Sequence, residues 1–330
     1  MGRVIIRILR SGFLVFLVAG FSATATAQEW KPERTVEIIV SSGPGGAADR
    51  SARTIQRYLQ EIPGIPSISV SNKPGGGGTV AWTAINQHAG DAHYMSTLNT
   101  ALVTNQIIGL STLRYQDVTP LNILMHEYVA VWVRNESQIK SSADLLARLK
   151  KDPASVSFGI SPARGNQNHI VLAMIARAAG VDPKVLKIVV YSSGGAGTTA
   201  ALGGHVEVWA GTAGSARQHL QGGKIRVLGL SSPQRLGGVF ANAPTFREQG
   251  IDAVYSAWRG FLGPKGLTAA QTAFWDRTFA RIVEDEDWKA ELEKNAWGRE
   301  FKGAAEARRH LEEEHRLLEK ILAELGLVKR

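Results

Sequence analysis

A glycine-rich segment, Ser41 to Asp49, follows a run of β-branched residues, Val36–Val40, and precedes a pattern that places Ile55 and Leu59 on one helical face. The glycines therefore lie where a strand ends and a helix begins. Glycine lets a ligand approach the backbone closely, and the first N–H groups of a helix have no intrahelical partner. The helix dipole also favours negative charge there. The segment predicts a small cradle that binds an anionic molecule without reacting with it.

The sequence has no arrangement typical of catalysis. The patterns G-x-S-x-G and H-E-x-x-H do not occur, and the lack of Cys excludes disulfides, thiol nucleophiles and thiolate metal sites. His88 and His93 flank a Gly-Asp turn, which is more typical of a surface than of a metal site. The acidic run Glu284 to Asp287 is typical of a solvated turn. We therefore expect no catalytic residue, no metal and no cofactor.

The same segment also fits a dinucleotide fingerprint, G-x-G-x-x-A, between Gly43 and Ala48. That fingerprint requires an acidic residue at the end of the next strand, where this chain has Ser71 and Asn72. A P-loop is excluded because no Gly-Lys-Ser/Thr follows the glycines. The basic residues are scattered and do not alternate with aromatic residues, which argues against nucleic acid as a partner.

Short apolar runs alternate with helical patterns after the N-terminal segment. Strands are predicted at Val36–Val40, Ile68–Val70 and Tyr94–Leu98. Such alternation favours parallel strands, whose carboxyl ends meet at the sheet edge where ligands bind. Asn72–Thr79, which holds four consecutive glycines, follows the second strand, and Asn99–Ala101 follows the third. The four glycines indicate either close backbone packing or a ligand.

A second alternating series follows a predicted strand at Val129–Val133. Strands are predicted at Val156–Ile160 and Ile188–Tyr191, and polar loops follow them at Gly159–His169 and Ser192–Thr199. Two such α/β units predict two lobes with a ligand cleft between them. Hinge closure over the ligand is the expected motion.

The hinge and the C-terminal region complete the predicted architecture. Val129–Val133 and Phe261–Pro264 are the candidate strands that cross between the lobes. Helices are predicted at Thr268–Glu284, Glu286–Asn295 and Ala304–Leu325. The last has an apolar stripe between charged residues, which is typical of core packing.

Four side chains have more than one possible role. Asp49 caps the helix that it begins, fixes the cradle loop or meets a donor on the ligand. Arg164 either pairs bidentately with a ligand carboxylate or is solvated. Arg259, beside Trp258, is either a carboxylate partner or part of a structural salt bridge. Trp209, at a strand end, either packs in the core or forms a wall of the ligand site.

The N-terminus has the order of a secretory signal peptide. Three arginines precede an apolar run, Phe13–Phe21, and small residues follow up to Ala27. The apolar run is shorter than a spanning helix requires, so cleavage after Ala27 is expected rather than anchoring. Removal of residues 1–27 changes the net charge from +9 to +6, because 9 − 3 = 6. A moderate positive charge favours the approach of anions.

The chain resembles the Bug-type solute-binding receptors of the tripartite tricarboxylate transporter family over nearly all of its mature length. The order and spacing of several short motifs carry the resemblance, and these motifs are Pro44-Gly45-Gly46 with Asp49, Asn72 with Pro74 to Gly78, Gly159 to His169, Tyr191 with Gly194-Gly195-Ala196, Leu202-Gly203-Gly204 with Val206-Glu207, Ala243 to Phe246 with Gly250, Trp258-Arg259-Gly260, and Gly263 to Gly266.

The resemblance implies an α/β, two-lobed periplasmic-binding-protein fold (type II-like, Venus flytrap) with the ligand cleft between the lobes. Residues 28–127 and 255–330 would form lobe 1, and residues 128–254 lobe 2. It implies a periplasmic, monomeric receptor that binds a small organic acid, largely through backbone N–H groups, and delivers it to integral-membrane transporter subunits. Some family members serve a sensor kinase instead.

The residues expected to contact the ligand lie in the strand-end loops or beside the hinge, and they are Ser42, Gly45, Gly46, Asp49, Gly76, Gly77, Asn99, Thr100, Arg164, Gly165, Asn166, His169, Ser192, Gly194, Gly195, Thr212, Trp258 and Arg259. The chain departs from the family at Ser41-Ser42-Gly43, at Arg164 to Asn168 and at Trp209 to Thr212. Arg164 and Arg259 together would favour a ligand with two carboxylates. A sensory receptor and, less favoured, an exported enzyme acting on an organic acid are the alternative functions.

Overall fold

The computed structural model describes residues 29–44, 47–161, 163–191 and 193–328. The predicted signal peptide, residues 1–27, lies outside the described residues. So do three of the residues expected to contact the ligand, Gly45, Gly46 and Ser192.

Strands and helices alternate along most of the described chain. The strands are β1 Val36–Val40, β2 Ile68–Asn72, β3 Tyr94–Asn99, β4 Thr119–Arg134, β5 Ser157–Ile160, β6 Lys187–Val190, β7 Val208–Thr212, β8 Ile225–Leu230, β9 Ser256–Gly263 and β10 Trp297–Gly303. The helices are α1 Ala47–Gln60, α2 Thr79–Asn86, α3 Ala101–Ile107, α4 Ser142–Lys151, α5 Gln167–Ala178, α6 Gly194–Leu202, α7 Ala213–Gln221, α8 Ala269–Glu284, α9 Glu286–Asn295 and α10 Ala304–Glu324.

The strands form one continuous sheet in the order β2-β1-β3-β9-β4-β7-β5-β6, with β8 and β10 also paired to β4. β1 is parallel to β2 and to β3, and β5 is parallel to β6 and to β7. The parallel strands predicted from the alternating pattern are therefore confirmed. β9 runs antiparallel to β3.

The long strand β4 joins two parts of the sheet. Its residues 119–128 pair with β9, and its residues 129–134 pair with β7 and β8. We call β1, β2, β3, β9, β10 and residues 119–128 of β4 the first half-sheet. The second half-sheet comprises β5 to β8 and residues 129–134 of β4.

The two predicted crossing strands differ in their pairing. Val129–Val133 lies in β4, which passes from the first half-sheet into the second. Phe261–Pro264 was expected to cross, but β9 pairs with β3 and with residues 119–128 of β4, so it belongs to the first half-sheet. The apolar run in β9 reflects burial within a sheet, which periodicity alone does not distinguish from a crossing strand.

Helices cover both faces of the first half-sheet. α1, α8 and α9 pack on one face, in a cluster that contains Ile55, Trp275 and Trp288. α2, α3 and α10 pack on the other face, in a cluster that contains Trp82 and Leu318 and continues into the core around α4 and α5. Within the described part of the chain, no helix is both long enough and apolar enough to span a bilayer.

Candidate functional site

The ends of β1 and β3 are tied together at the predicted ligand edge. The backbone N–H of Ser41 donates to the hydroxyl of Thr97 at 3.0 Å, and the two hydroxyls are also 3.0 Å apart. The amide of Asn99 donates to Ser41 Oγ at 3.3 Å, and its oxygen accepts from the N–H of Ala101 at 2.9 Å. Thr100, directly after β3, is buried. The structure therefore brings Asn99 beside the first loop.

Asn72 connects the first loop to the end of β2. Its amide nitrogen donates to the carbonyl of Ser42 and to the carboxylate of Asp49, both at 2.9 Å. Asp49 also accepts from Arg53 at 3.1 Å. Because α1 begins at Ala47, Asp49 lies in the first turn of the helix and is not its cap. Of the roles left open by the sequence, these contacts correspond to fixing the loop.

Close packing accounts for the second glycine-rich loop. Gly75 to Gly78 all have positive φ, between 55° and 133°, a region that favours glycine. A Cβ at Gly78 would lie 2.7 Å from the Trp82 ring, and one at Gly77 would lie 2.7 Å from the amide of Asn105. That amide donates to the carbonyls of Gly76 and Gly77 at 3.1 and 3.2 Å. The backbone of this loop is therefore held in place by Asn105.

Two loops also meet at the corresponding edge of the second half-sheet. The carbonyl of Ser161, after β5, accepts from the amides of Asn166 and Asn168, the latter at 3.0 Å. Asn166 caps α5 by accepting from the N–H of His169 at 3.1 Å. A Cβ at Gly194, the first residue of α6, would lie 3.8 Å from Ser161 Oγ. Gly194 thus lies beside the loop that precedes α5, and Gly195 follows it in α6.

His169 is a structural residue of this loop. It is buried, and its Nδ1 accepts from the N–H of Gly165 at 3.0 Å. Burial, together with the charge of Arg164, lowers the pKa of His169 to about 4. The imidazole is therefore neutral at pH 7, so it adds no positive charge to the site. Gly165 has a φ of 82° and faces α10, because a Cβ there would lie 3.4 Å from Leu322.

The two arginines predicted to bind carboxylates each have a protein partner. The Arg164 guanidinium donates to the carbonyl of Ile188, on β6, at 3.2 Å. Arg259 forms an ion pair with Glu127, in which Nε donates to Oε2 at 2.7 Å. The structural salt bridge that the sequence left open for Arg259 is thus present. This ion pair argues against the prediction that Arg164 and Arg259 together bind a ligand with two carboxylates, because Arg259 already contacts the carboxylate of Glu127.

Trp258 and Trp209 are buried, whereas Thr212 is partly exposed. Trp258 is 1% exposed, and its indole N–H donates to Glu314 Oε2 at 3.1 Å. Trp209 packs against Trp132 and Tyr191, which places it in the core and not in a ligand wall. Thr212 ends β7 and directly precedes α7. Trp258 is therefore positioned by α10, on the face of β9 that packs against that helix.

Sequence reasoning missed Asn105 and Glu127 altogether, and it noted Asn72 as part of a family motif but not as a loop anchor. Each acts through a partner distant in sequence, so only the folded chain shows its role. The described residues contain no cluster of His, Asp or Glu that could hold a metal ion. Two surface cavities, one beside Phe301 and one beside Arg226, have no lining residue from these loops.

The profile described as "Tripartite tricarboxylate transporter family receptor" matches residues 51–327, which is most of the chain. The chain belongs to this receptor family. BugT of Bordetella pertussis (strain Tohama I) is 27% identical over 255 residues, which cover 75% of this chain and 76% of BugT.

Solved structures of low sequence identity share the fold of this family receptor. The R. palustris protein Rpa4515, solved with adipate, has a TM-score of 0.80 at 22% identity, covering 90% of this chain and 99% of that one. MatC of Rhodopseudomonas palustris, with bound malate, has a TM-score of 0.74 at 22% identity. The match covers 88% of this chain and 100% of MatC. The predicted two-lobed α/β fold of solute-binding proteins is confirmed. Since the matching family is one of receptors, the chain is a receptor and not an enzyme.

Proposed function

We propose that this chain captures a small organic acid in the periplasm and delivers it to the membrane subunits of a tripartite tricarboxylate-type transporter. The observation that carries the proposal is the meeting of loops at the carboxyl ends of parallel strands in each half-sheet. In the first half-sheet these are the loops after β1, β2 and β3, and in the second those after β5 and β6. Ligands of open α/β sheets bind at such edges.

Backbone donors at these edges suit a carboxylate. α5 and α6 both begin there, and the first N–H groups of a helix attract anions. Two of their N–H groups are already occupied by the caps Asn166 and Ser193, so further donors of the first turns would meet the ligand. Two structural neighbours were solved with malate and with adipate, which supports an organic acid as the ligand class here.

The lobes follow from the same proposal. Residues 28–127 with 255–330 would form one lobe and residues 128–254 the other, with the cleft between them. The change of partners along β4, between residues 128 and 129, supports this division. The two lobes would close over the ligand as rigid bodies about β4 and the returning segment before β9.

Thermal unfolding of residues 28–330 with a panel of organic acids tests the proposal. A ligand that binds only the folded state stabilises it by about 2.7 kcal/mol at a hundred times its dissociation constant. We expect a clear rise in Tm with one group of carboxylates and none with the corresponding amides. If no carboxylate raises Tm in a sample shown by mass spectrometry to carry no bound ligand, the proposal is wrong.

Uptake of the identified acid by cells with and without the receptor then tests delivery to a transporter.

A further inference from the structure

The ion pair between Glu127 and Arg259 lies deep in the first half-sheet. The side chain of Glu127 is 1% exposed and that of Arg259 is 11% exposed. Both Nε and Nη2 of Arg259 donate to the same carboxylate oxygen, Glu127 Oε2, the former at 2.7 Å. The guanidinium therefore has its charge compensated from the buried side, while a small part of its side chain remains accessible.

The strand register places Arg259 next to the ligand loops of the first half-sheet. Arg259 lies directly opposite Asn99 in the antiparallel pair of β9 and β3. Side chains directly opposite each other in antiparallel strands lie on the same face of the sheet. Asn99 itself donates to Ser41 Oγ at the end of β1. The Glu127–Arg259 pair is thus one cross-strand neighbour away from the loop predicted to cradle the ligand.

Two other basic side chains at the predicted ligand loops are also paired with a carboxylate or uncharged. Arg53, which reaches Asn72 at 3.3 Å, is paired with Asp49. His169, in the loop of the second half-sheet, is neutral at pH 7 because its pKa is about 4. Of the basic side chains at these loops, Arg53 is thus paired with a carboxylate and His169 is uncharged, whereas Arg164 donates to a backbone carbonyl of β6. A ligand with two negative charges would therefore meet fewer unpaired positive charges in the first half-sheet than the number of arginines there indicates.

We propose that Glu127 is a specificity-determining residue that makes this receptor select monocarboxylic acids over dicarboxylic acids. The proposal deepens the proposed function and rests on it. A second ligand carboxylate that approached Arg259 would also meet the buried charge of Glu127 behind the guanidinium. In surroundings of low effective dielectric, this repulsion offsets much of the attraction to Arg259. Glu127 thus positions Arg259 and sets the net charge of this part of the site to zero.

Matched ligands and matched variants test this role. The dissociation constants of mono- and dicarboxylic acids of equal chain length, such as hexanoate with adipate and butyrate with succinate, are measured by calorimetry. For the wild type we expect the monocarboxylate to bind more tightly within each pair. Glu127→Gln retains an acceptor for Arg259 but removes the negative charge. We expect this variant to shift the ratio of the two constants by about tenfold toward the dicarboxylate, most strongly at low salt.

The double variant Glu127→Gln/Arg259→Gln is the control. It has zero net charge at these two positions, like the wild type, but it has no ion pair. We expect its ratio to return toward that of the wild type. A wild type that prefers the dicarboxylate overturns the inference even if no variant folds. A folded Glu127→Gln variant with an unchanged ratio also overturns it, because a purely structural role would not move the ratio. If the wild type binds no carboxylate at all, the proposed function itself fails.

Discussion

Asn72 and Asp49 join two of the predicted ligand loops, with the Asn72 amide nitrogen 2.9 Å from the Asp49 carboxylate. The same nitrogen is 2.9 Å from the carbonyl of Ser42, so one side chain holds the end of β2 against the start of α1. The geometry of the first loop therefore depends on a residue of the second.

Replacing Asn72 by Asp removes this donor and places two carboxylates side by side. We expect Asn72→Asp to lower the free energy of unfolding by about 1–3 kcal/mol and to weaken ligand binding. Urea denaturation and calorimetry measure the two effects. Asn135→Asp is a matched control, because the Asn135 amide donates to the carbonyl of Gly223 at 2.8 Å, outside the predicted ligand loops. Equal ligand affinity in the Asn72 and Asn135 variants would contradict the role of Asn72 in the site.

The buried His169 predicts a pH dependence of stability. Its pKa in the folded protein is about 4, against an ordinary value of 6.5, because burial disfavours the charged form. The stabilisation is fully present above pH 6.5 and is lost as the pH falls toward 4, since the unfolded chain then binds a proton that the folded chain does not. The loss amounts to about 3 kcal/mol.

His169→Asn isolates this effect, because the Asn oxygen can accept from Gly165 as Nδ1 does. Free energies of unfolding measured between pH 7 and pH 4 should fall less steeply for this variant than for the wild type. Parallel pH profiles for the two proteins would show that His169 is not the group responsible.

The buried carboxylate of Glu314 destabilises the folded protein at neutral pH relative to an uncharged side chain. Burial raises the pKa of its carboxyl, which accepts from Trp258 at 3.1 Å and from Tyr255 at 3.5 Å. A carboxyl whose pKa is higher in the folded than in the unfolded protein stabilises the fold fully below the unfolded-state pKa. This stabilisation is lost as the pH rises through the folded-state pKa. Glu314→Gln should therefore be at least as stable as the wild type at pH 7, with a difference that disappears below pH 4.5.

Glu314→Leu is the contrasting variant, because it leaves the buried Trp258 N–H without an acceptor. We expect it to lose about 1–3 kcal/mol at every pH. Denaturant titrations at pH 4 and pH 7 distinguish the two variants. A Gln variant as unstable as the Leu variant would mean that the negative charge itself is required.

Gly78 combines a positive φ with close packing. Its φ is 106°, and a Cβ there would lie 2.7 Å from the Trp82 ring. Gly64 has a φ of 90° but no atom within 4 Å of such a Cβ, so it isolates the backbone effect. We expect Gly64→Ala to cost about 1–2 kcal/mol and Gly78→Ala clearly more, as measured by thermal unfolding. Equal losses would indicate that Trp82 moves aside without cost.

Most elements of the fold were predictable from local patterns. β1 and α9 begin and end where the sequence predicted, and α10 differs by one residue at its end. β10 and α3 were not predicted, because Trp297–Gly303 lacks a strict alternation and Ala101–Ile107 is short. β4 was predicted as Val129–Val133 but begins at Thr119, because its first part is buried by β9 and β10 rather than marked by periodicity.

The sequence by itself determined the fold class, the family and the places where glycine-rich and polar loops follow strands. These features depend on residue types and spacings that are local, such as β-branched runs that end in glycines. Only the tertiary structure decided which partner each polar side chain has. Glu127 and Arg259 are far apart in the chain, and the antiparallel pairing of β4 with β9 brings them into contact. Charge compensation depends on distances across the sheet, and no local pattern contains them.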